Sequence, residues 1–218
     1  TEFWFHYSGH GDYMNDLNND ENDNRDELIV PLETNKYILD DEINKIFKKI
    51  PSTCKVIGFF DCCNSGTILD LKYRYINSNN SILENNSNFN NKNIFLISGS
   101  RDDQFSYDIY DSNNKQFAGA LTMNVIKILK ANNNILVKDF LQKLKNNLSN
   151  ENLDQTPQLS SNKIINDKSL FFSKKVNNKL LLYYNNTIEE RKKILKNQIT
   201  YYQNKIRILI KRRNKFKR

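Results

Sequence analysis

Two short stretches could do chemistry together. "YSGHGD" (Tyr7–Asp12) presents His10 between glycines, and "GFFDCCNSG" (Gly58–Gly66) presents Cys62 and Cys63 after an apolar run. A thiolate needs a base or a positive neighbour to be reactive at neutral pH. An imidazole provides one and later protonates the leaving amine. The chain has only two histidines, and His6 lies inside an aromatic run, where a satisfied position in a sheet is the simpler role. Of the cysteines, Cys62 sits closer to the strand and reads as a small buried hydrophobe. Cys63 precedes Asn64-Ser65-Gly66, a turn sequence that exposes it. Cys54 lies at the opposite end of the run, away from His10. Taken alone, His10 is better explained as a loop histidine without a task; its pairing with Cys63 makes it a candidate.

Three cysteines at this spacing form no disulfide framework, and no CxxC pair suggests zinc. Adjacent cysteines rarely bridge each other because the geometry is strained. A reducing, cytoplasmic compartment is therefore expected. No signal peptide is visible, and no apolar run is long enough to span a bilayer.

Other elements must bring the two stretches together. "EFWFHY" (Glu2–Tyr7) predicts a buried strand ending at Ser8-Gly9. An acidic loop follows, then "LIVPL" (Leu28–Leu32), a short strand that stops at its proline. "LDDEINKIFKKI" spaces Ile43, Ile46, Phe47 and Ile50 as a helix face, with Asp40 and Asp41 suited to cap its start. "KVIGFF" (Lys55–Phe60) predicts a second buried strand, ended by Asp61. Strand, helix, strand predicts a right-handed βαβ crossover in a parallel sheet. It puts His10 and Cys63 past the C-terminal ends of neighbouring strands, the edge where open α/β sheets gather catalytic groups. "NIFLISGS" (Asn93–Ser100) predicts a third strand, and residues 119–131 and 136–148 predict amphipathic helices. "SLFF" (Ser169–Phe172) reads as a last strand.

The chain has 218 residues and 38% apolar residues, lean but sufficient for a core. The Asn-rich tract from Asn77 to Asn93 reads as a loop insertion. Charge is uneven: residues 174–218 hold 15 basic and 2 acidic residues, net +13, which leaves −5 on the rest of a chain of net charge +8. The basic character therefore belongs to the tail and implies no nucleic-acid-binding body. In that tail Ile188, Leu195, Tyr202, Leu209 and Phe216 recur every seven residues, with Ile199 and Ile206 between, predicting a basic, coiled-coil-like helix. Nucleic acid, an anionic membrane surface or a partner helix would suit it, and a solvated helix weighs about as much as these together.

"HYSGHGD" followed by "FFDCCNSG" resembles the paired His and Cys motifs of the metacaspases, within the caspase-like clan of cysteine peptidases. "DELIVP", "ILDDEI", "ISGSRDDQ", "GALT" and "QTPQLSS" agree with it, over about residues 1–172. The resemblance implies an α/β caspase-like fold of three layers, with a mostly parallel sheet flanked by helices and the basic helix appended. It implies His10 as general base and acid, Cys63 as nucleophile, and the backbone N–H groups of Gly11 and Cys63 as the oxyanion hole. Ser8 and Asp61 match the family's substrate-pocket positions, with Asp103 a weaker candidate. A carboxylate pairs with a guanidinium or ammonium, so cleavage after Arg or Lys is implied. Asp26, Asp40, Asp41 and Asp70 match the family's calcium aspartates, so activation by calcium is implied. A monomer is the family's usual state.

The sequence departs from the family in two places. Asn64 stands where the family usually has His, outside the catalytic pair. The chain also starts at Thr1 without a Met, and the family's strand–helix–strand segment before the "HYSGHG" strand is not in it. A fragment, with an open apolar sheet edge beside the His10 strand, is therefore expected. The competing reading is a catalytically impaired homologue acting as an interaction module through its basic tail.

Overall fold

The computed structural model of the chain describes residues 1–16, 24–32, 36–75, 81–83, 89, 92–112, 115–132, 134–166, 168–170, 193 and 196. In chain order these form β1 (Glu2–Ser8), β2 (His10–Asn15), β3 (Arg25–Val30), β4 (Ile38–Leu39), α1 (Asp40–Phe47), β5 (Lys55–Asp61), β6 (Tyr73–Tyr75) and β7 (Ser81–Leu83). Then come β8 (Asn93–Ser98), β9 (Asp108–Asp111), β10 (Gln116–Gly119), α2 (Ala120–Ala131), α3 (Val137–Asn150) and β11 (Gln158–Ser161).

The main sheet has the order β1-β5-β8-β11-β6-β7. β1 and β8 run parallel to β5 on either side, which is the predicted crossover. Beyond β8 the sheet turns antiparallel through β11, β6 and β7, so it is mixed. β2, β3 and β4 form a separate antiparallel sheet between β1 and α1, and β9 with β10 forms a two-stranded ribbon.

Strand alternation sends successive side chains to opposite faces. On one face Phe5 packs against Phe60 and Phe47, with ring centroids 5.2 and 5.7 Å apart. There α1 contributes Ile43 and Phe47 to a cluster with Val56, Phe60, Cys62 and Leu96. On the other face Trp4 stacks on Phe59 at 6.0 Å, and Asp61 meets the start of α2. Each buried Phe or Leu contributes about 1.5–3 kcal/mol relative to exposure, so this double-sided burial fixes the β1–β5 register. The arrangement is the expected α/β one, a sheet with helices on both faces.

Several details differ from the sequence reading. β3 begins at Arg25 and ends at Val30, because Pro31 cannot continue a ladder and Leu32 is 81% exposed. Asp40 and Asp41 do not cap α1. Leu39 holds the cap position, and its N–H is accepted by Glu42 Oε2 at 3.4 Å. Ser169 and Leu170 form no strand: Leu170 makes an isolated bridge to Leu136, and Phe171 and Phe172 lie outside the described residues. β11 escaped the hydrophobic pattern because its "QLSS" is polar yet fully buried. The chain divides into Thr1–Ser173 and Lys174–Arg218. The basic helix expected in the second part lies outside the described residues, apart from Lys193 and Lys196. Among the described residues no helix is long and apolar enough to cross a membrane.

Candidate active site

The parallel register sets Ser8 of β1 directly beside Asp61 of β5. Each strand then ends, and the two following segments stay in contact. Gly9 N–H donates to the Asp61 carbonyl at 3.2 Å. Gly11 lies so close to the second loop that a Cβ there would collide with the Cys63 carbonyl oxygen and stand 3.1 Å from Cys62 Sγ. Only glycine permits that approach. His10, between these two contacts, is thereby carried to the Asp61–Cys63 segment. The single proton of the Tyr7 hydroxyl is shared between the His10 carbonyl at 2.8 Å and the Val30 carbonyl at 2.9 Å. The His10 side chain is exposed and makes no hydrogen bond among the described residues.

The two adjacent cysteines have opposite environments. Cys62 is 1% exposed, belongs to the core cluster on the α1 face, and has its carbonyl bound by the Ser65 and Ser100 hydroxyls at 2.8 and 3.2 Å. Burial, then the neighbouring Asp61 charge, pushes its thiol up, so it stays an inert neutral group. Cys63 is half-buried, and its Sγ accepts the Ser106 N–H at 3.3 Å. The chain leaves it through Asn64 in the left-handed region at φ 49°, a conformation Asn tolerates. Asn64 Nδ2 donates to the Asp102 carbonyl at 2.5 Å, tying the cysteine loop to the one that follows β8.

Asp61 is 4% exposed and fully engaged. Oδ2 accepts the main-chain N–H of Thr122 at 2.8 Å and its hydroxyl at 2.6 Å; Oδ1 accepts the Ser106 hydroxyl at 2.8 Å. Behind these, His6 Nε2 lies 3.0 Å from Thr122 Oγ1, and Gln155 Nε2 donates to Ser106 Oγ at 3.2 Å. Among the described residues every donor on the carboxylate is neutral. Burial pushes the Asp61 carboxyl up, opposed by the hydrogen bonds from Thr122 and Ser106. Asp103 is exposed instead, in a bidentate ion pair with Arg101 at 3.0 and 3.1 Å.

The four candidate calcium aspartates separate into two groups. Asp40 and Asp26 are buried, at 1% and 5% exposed. Burial, then the charge of Asp70, and more weakly that of Asp26, pushes the Asp40 carboxyl up to about 7, so the three carboxylates share one neighbourhood. Asn44 Nδ2 donates to Asp70 Oδ2. Asp40 Oδ2 and Asn44 Oδ1 are buried and have no hydrogen-bond partner among the described residues. Asp41 turns to Lys45 on the surface, 3.3 Å away. Among the described residues no three His, Cys, Asp or Glu side chains are spaced to hold a metal ion as they stand.

Ser106, Thr122, Gln155 and Glu27 were not singled out from the sequence. Glu27 is 1% exposed and accepts the Thr67 hydroxyl at 2.8 Å, bracing the cysteine loop from β3. "GALT" contains Thr122, so the motif pointed at it, but only the fold shows the partner.

Residues 1–72 match the family model described as metacaspase, peptidase C14 domain. Over 180 residues the chain is 30% identical to metacaspase-2 of Trypanosoma brucei brucei, covering 74% of this chain and 51% of the relative. It is 30% identical over 209 residues to metacaspase-1 of Meyerozyma guilliermondii, covering 72% and 50%. With metacaspase-3 of Arabidopsis thaliana it shares 49% identity over 72 residues, 32% of this chain and 20% of that one. The chain thus spans about half the length of the Trypanosoma brucei brucei and Meyerozyma guilliermondii relatives.

Proposed function

Since the chain belongs to the metacaspase family, we propose that it is a cysteine endopeptidase in which His10 and Cys63 act as a dyad. The observation that carries this is the contact of Gly9 and Gly11 with the Asp61–Cys63 segment, which brings an uncommitted imidazole and a half-buried thiol to one sheet edge. The Cys63 sulfur attacks the scissile carbonyl carbon as His10 holds the thiol proton. The carbonyl π electrons move to oxygen, where the N–H groups of Gly11 and Cys63 stabilise them. Collapse breaks the C–N bond, His10 protonates the departing amine, and water then hydrolyses the thioester.

The reading extends to substrate choice. Among the described residues this buried carboxylate receives only neutral donors and has no counter-ion, and a basic side chain would supply one. Cleavage after Arg or Lys follows, with Ser8 beside Asp61 at the pocket wall.

Calcium is the proposed activator. Asp26, Asp40 and Asp70 would supply hard oxygen ligands, and Asn44 Oδ1 a further one, with Asp41 joining if it left Lys45. The unpartnered Asp40 Oδ2 and the mutual repulsion of the carboxylates fit a divalent cation. The ion would relieve that repulsion and draw these side chains together.

The test is hydrolysis of fluorogenic peptides ending in Arg, Lys or Asp, with and without millimolar calcium, by wild type and Cys63→Ala. Calcium-dependent release after Arg or Lys, lost in Cys63→Ala, is expected. Release only after Asp would overturn the pocket assignment. No release by the folded chain would overturn the peptidase reading.

A further inference from the structure

We propose that Ser106 is a positioning residue that couples the substrate-reading carboxylate to the nucleophile. One residue makes both contacts: its main-chain N–H donates to Cys63 Sγ at 3.3 Å, and its hydroxyl donates to Asp61 Oδ1 at 2.8 Å. The proposal rests on the peptidase reading of Cys63 and Asp61, but the link between the three residues is geometric.

The hydroxyl is oriented without ambiguity. A carboxylate can only accept, so Ser106 Oγ donates to Asp61; its lone pair then takes the Gln155 Nε2 donor at 3.2 Å. Gln155 in turn accepts the Tyr107 N–H with Oε1 at 3.0 Å. The segment around Ser106 is therefore fixed at two successive residues. Its N–H is aimed at sulfur by a side chain that Asp61 holds. A donor aimed at sulfur fixes the position from which the sulfur attacks. Ordinary packing would not require one residue to bind both groups through separate atoms.

A basic substrate side chain that engages Asp61 competes for Oδ1 with the Ser106 hydroxyl. Occupancy of the pocket is thereby felt at the Cys63 sulfur through two hydrogen bonds. Of the titratable groups, Asp61 and Cys62 belong to the same segment as that sulfur, Asp102 is tied to the segment through its carbonyl and Asn64, and Asp108 of β9 acts on Asp61.

The experiment compares wild type, Ser106→Ala and Ser106→Thr. It reads iodoacetamide alkylation of Cys63 at neutral pH by peptide mass, and kcat and KM on an Arg peptide. Losing a hydrogen bond to a charged group is worth about tenfold. Alkylation and kcat are expected to fall by about that factor in Ser106→Ala, with a smaller change in KM, and to recover in Ser106→Thr. Unchanged alkylation in folded Ser106→Ala would overturn the proposal, as would a loss that Ser106→Thr does not restore. If Ser106→Ala does not fold, amide exchange at Ser106 decides. Faster exchange in Cys63→Ala than in wild type is expected, and equal exchange overturns the link. Alkylation needs no substrate, so the two readings fail separately. A shifted alkylation rate without peptide cleavage sinks the peptidase and leaves the coupling. Cleavage with unshifted alkylation does the reverse.

Discussion

The carboxylate of Asp61, at the end of β5, accepts the main-chain N–H of Thr122 in the first turn of α2 at 2.8 Å. Gly119, at the N-terminal boundary of that helix, provides no side-chain cap, so a residue from another strand supplies the acceptor. The positive end of the helix also favours a carboxylate there. Asp61 thus joins the candidate pocket to the scaffold.

Two consequences follow for Asp61. Asp61→Asn would turn an amide donor toward the Thr122 or Ser106 donors. It should cost about 1–3 kcal/mol of stability, as expected for a buried polar group left unsatisfied, and abolish cleavage after Arg and Lys. Urea denaturation alongside peptide hydrolysis checks both. Unaltered stability would remove Asp61 from its capping role.

Gly11→Ala tests the approach of the two loops. The added Cβ would collide with the Cys63 carbonyl oxygen, which is backbone and cannot swing aside. Activity should fall at least a hundredfold, comparable to removing an oxyanion-hole donor, while circular dichroism still reports a folded sheet. Activity within a few-fold of wild type would mean that the His10 and Cys63 segments are not held as described.

The cysteines should separate by reactivity. Iodoacetamide on the native chain should label Cys63 and spare Cys62 and Cys54, both buried. Cys62→Ala should lower stability by about 1 kcal/mol, typical of a modest core truncation, and retain activity; Cys63→Ala should do the opposite. Labelling of Cys62 before Cys63 would invert the assignment.

Asp40 gives the pH dependence of the calcium-free chain. Its carboxyl rises to about 7 in the fold from an ordinary value of 3.8. Between those values the folded state holds a proton that the unfolded state has released. Stability from this group is therefore full below about pH 4, falls as pH rises, and is lost above about pH 7. In chelator, the melting temperature of wild type should drop over that window relative to Asp40→Asn, and calcium at pH 7.5 should restore it. Parallel pH curves for the two proteins would count against the carboxylate cluster.

The parts of the site differ in how far the sequence determined them. β1, β5 and α1 were legible because each buries a periodic apolar set, and the parallel pairing of β1 with β5 then puts His10 and Cys63 on one edge. The Asn-Ser-Gly turn after Cys63 was legible because turns use short-range chemistry. β11 was not, since a short polar strand announces nothing until β8 and β6 lie on both sides of it. Nor could the sequence assign Asp61 its partners. Ser106 and Thr122 are 45 and 61 residues away, and no local period connects them. Asp40 and Asp41 lie in the first turn of α1, at its positive end as expected, but miss the cap for a related reason: the boundary of α1 is set one residue earlier by β4 pairing with β3. Local patterns carried the elements and the two reactive side chains. The carboxylate's burial, the Ser106 link and the gathering of Asp26, Asp40 and Asp70 are long-range contacts. They exist only once the sheet and α2 close around them.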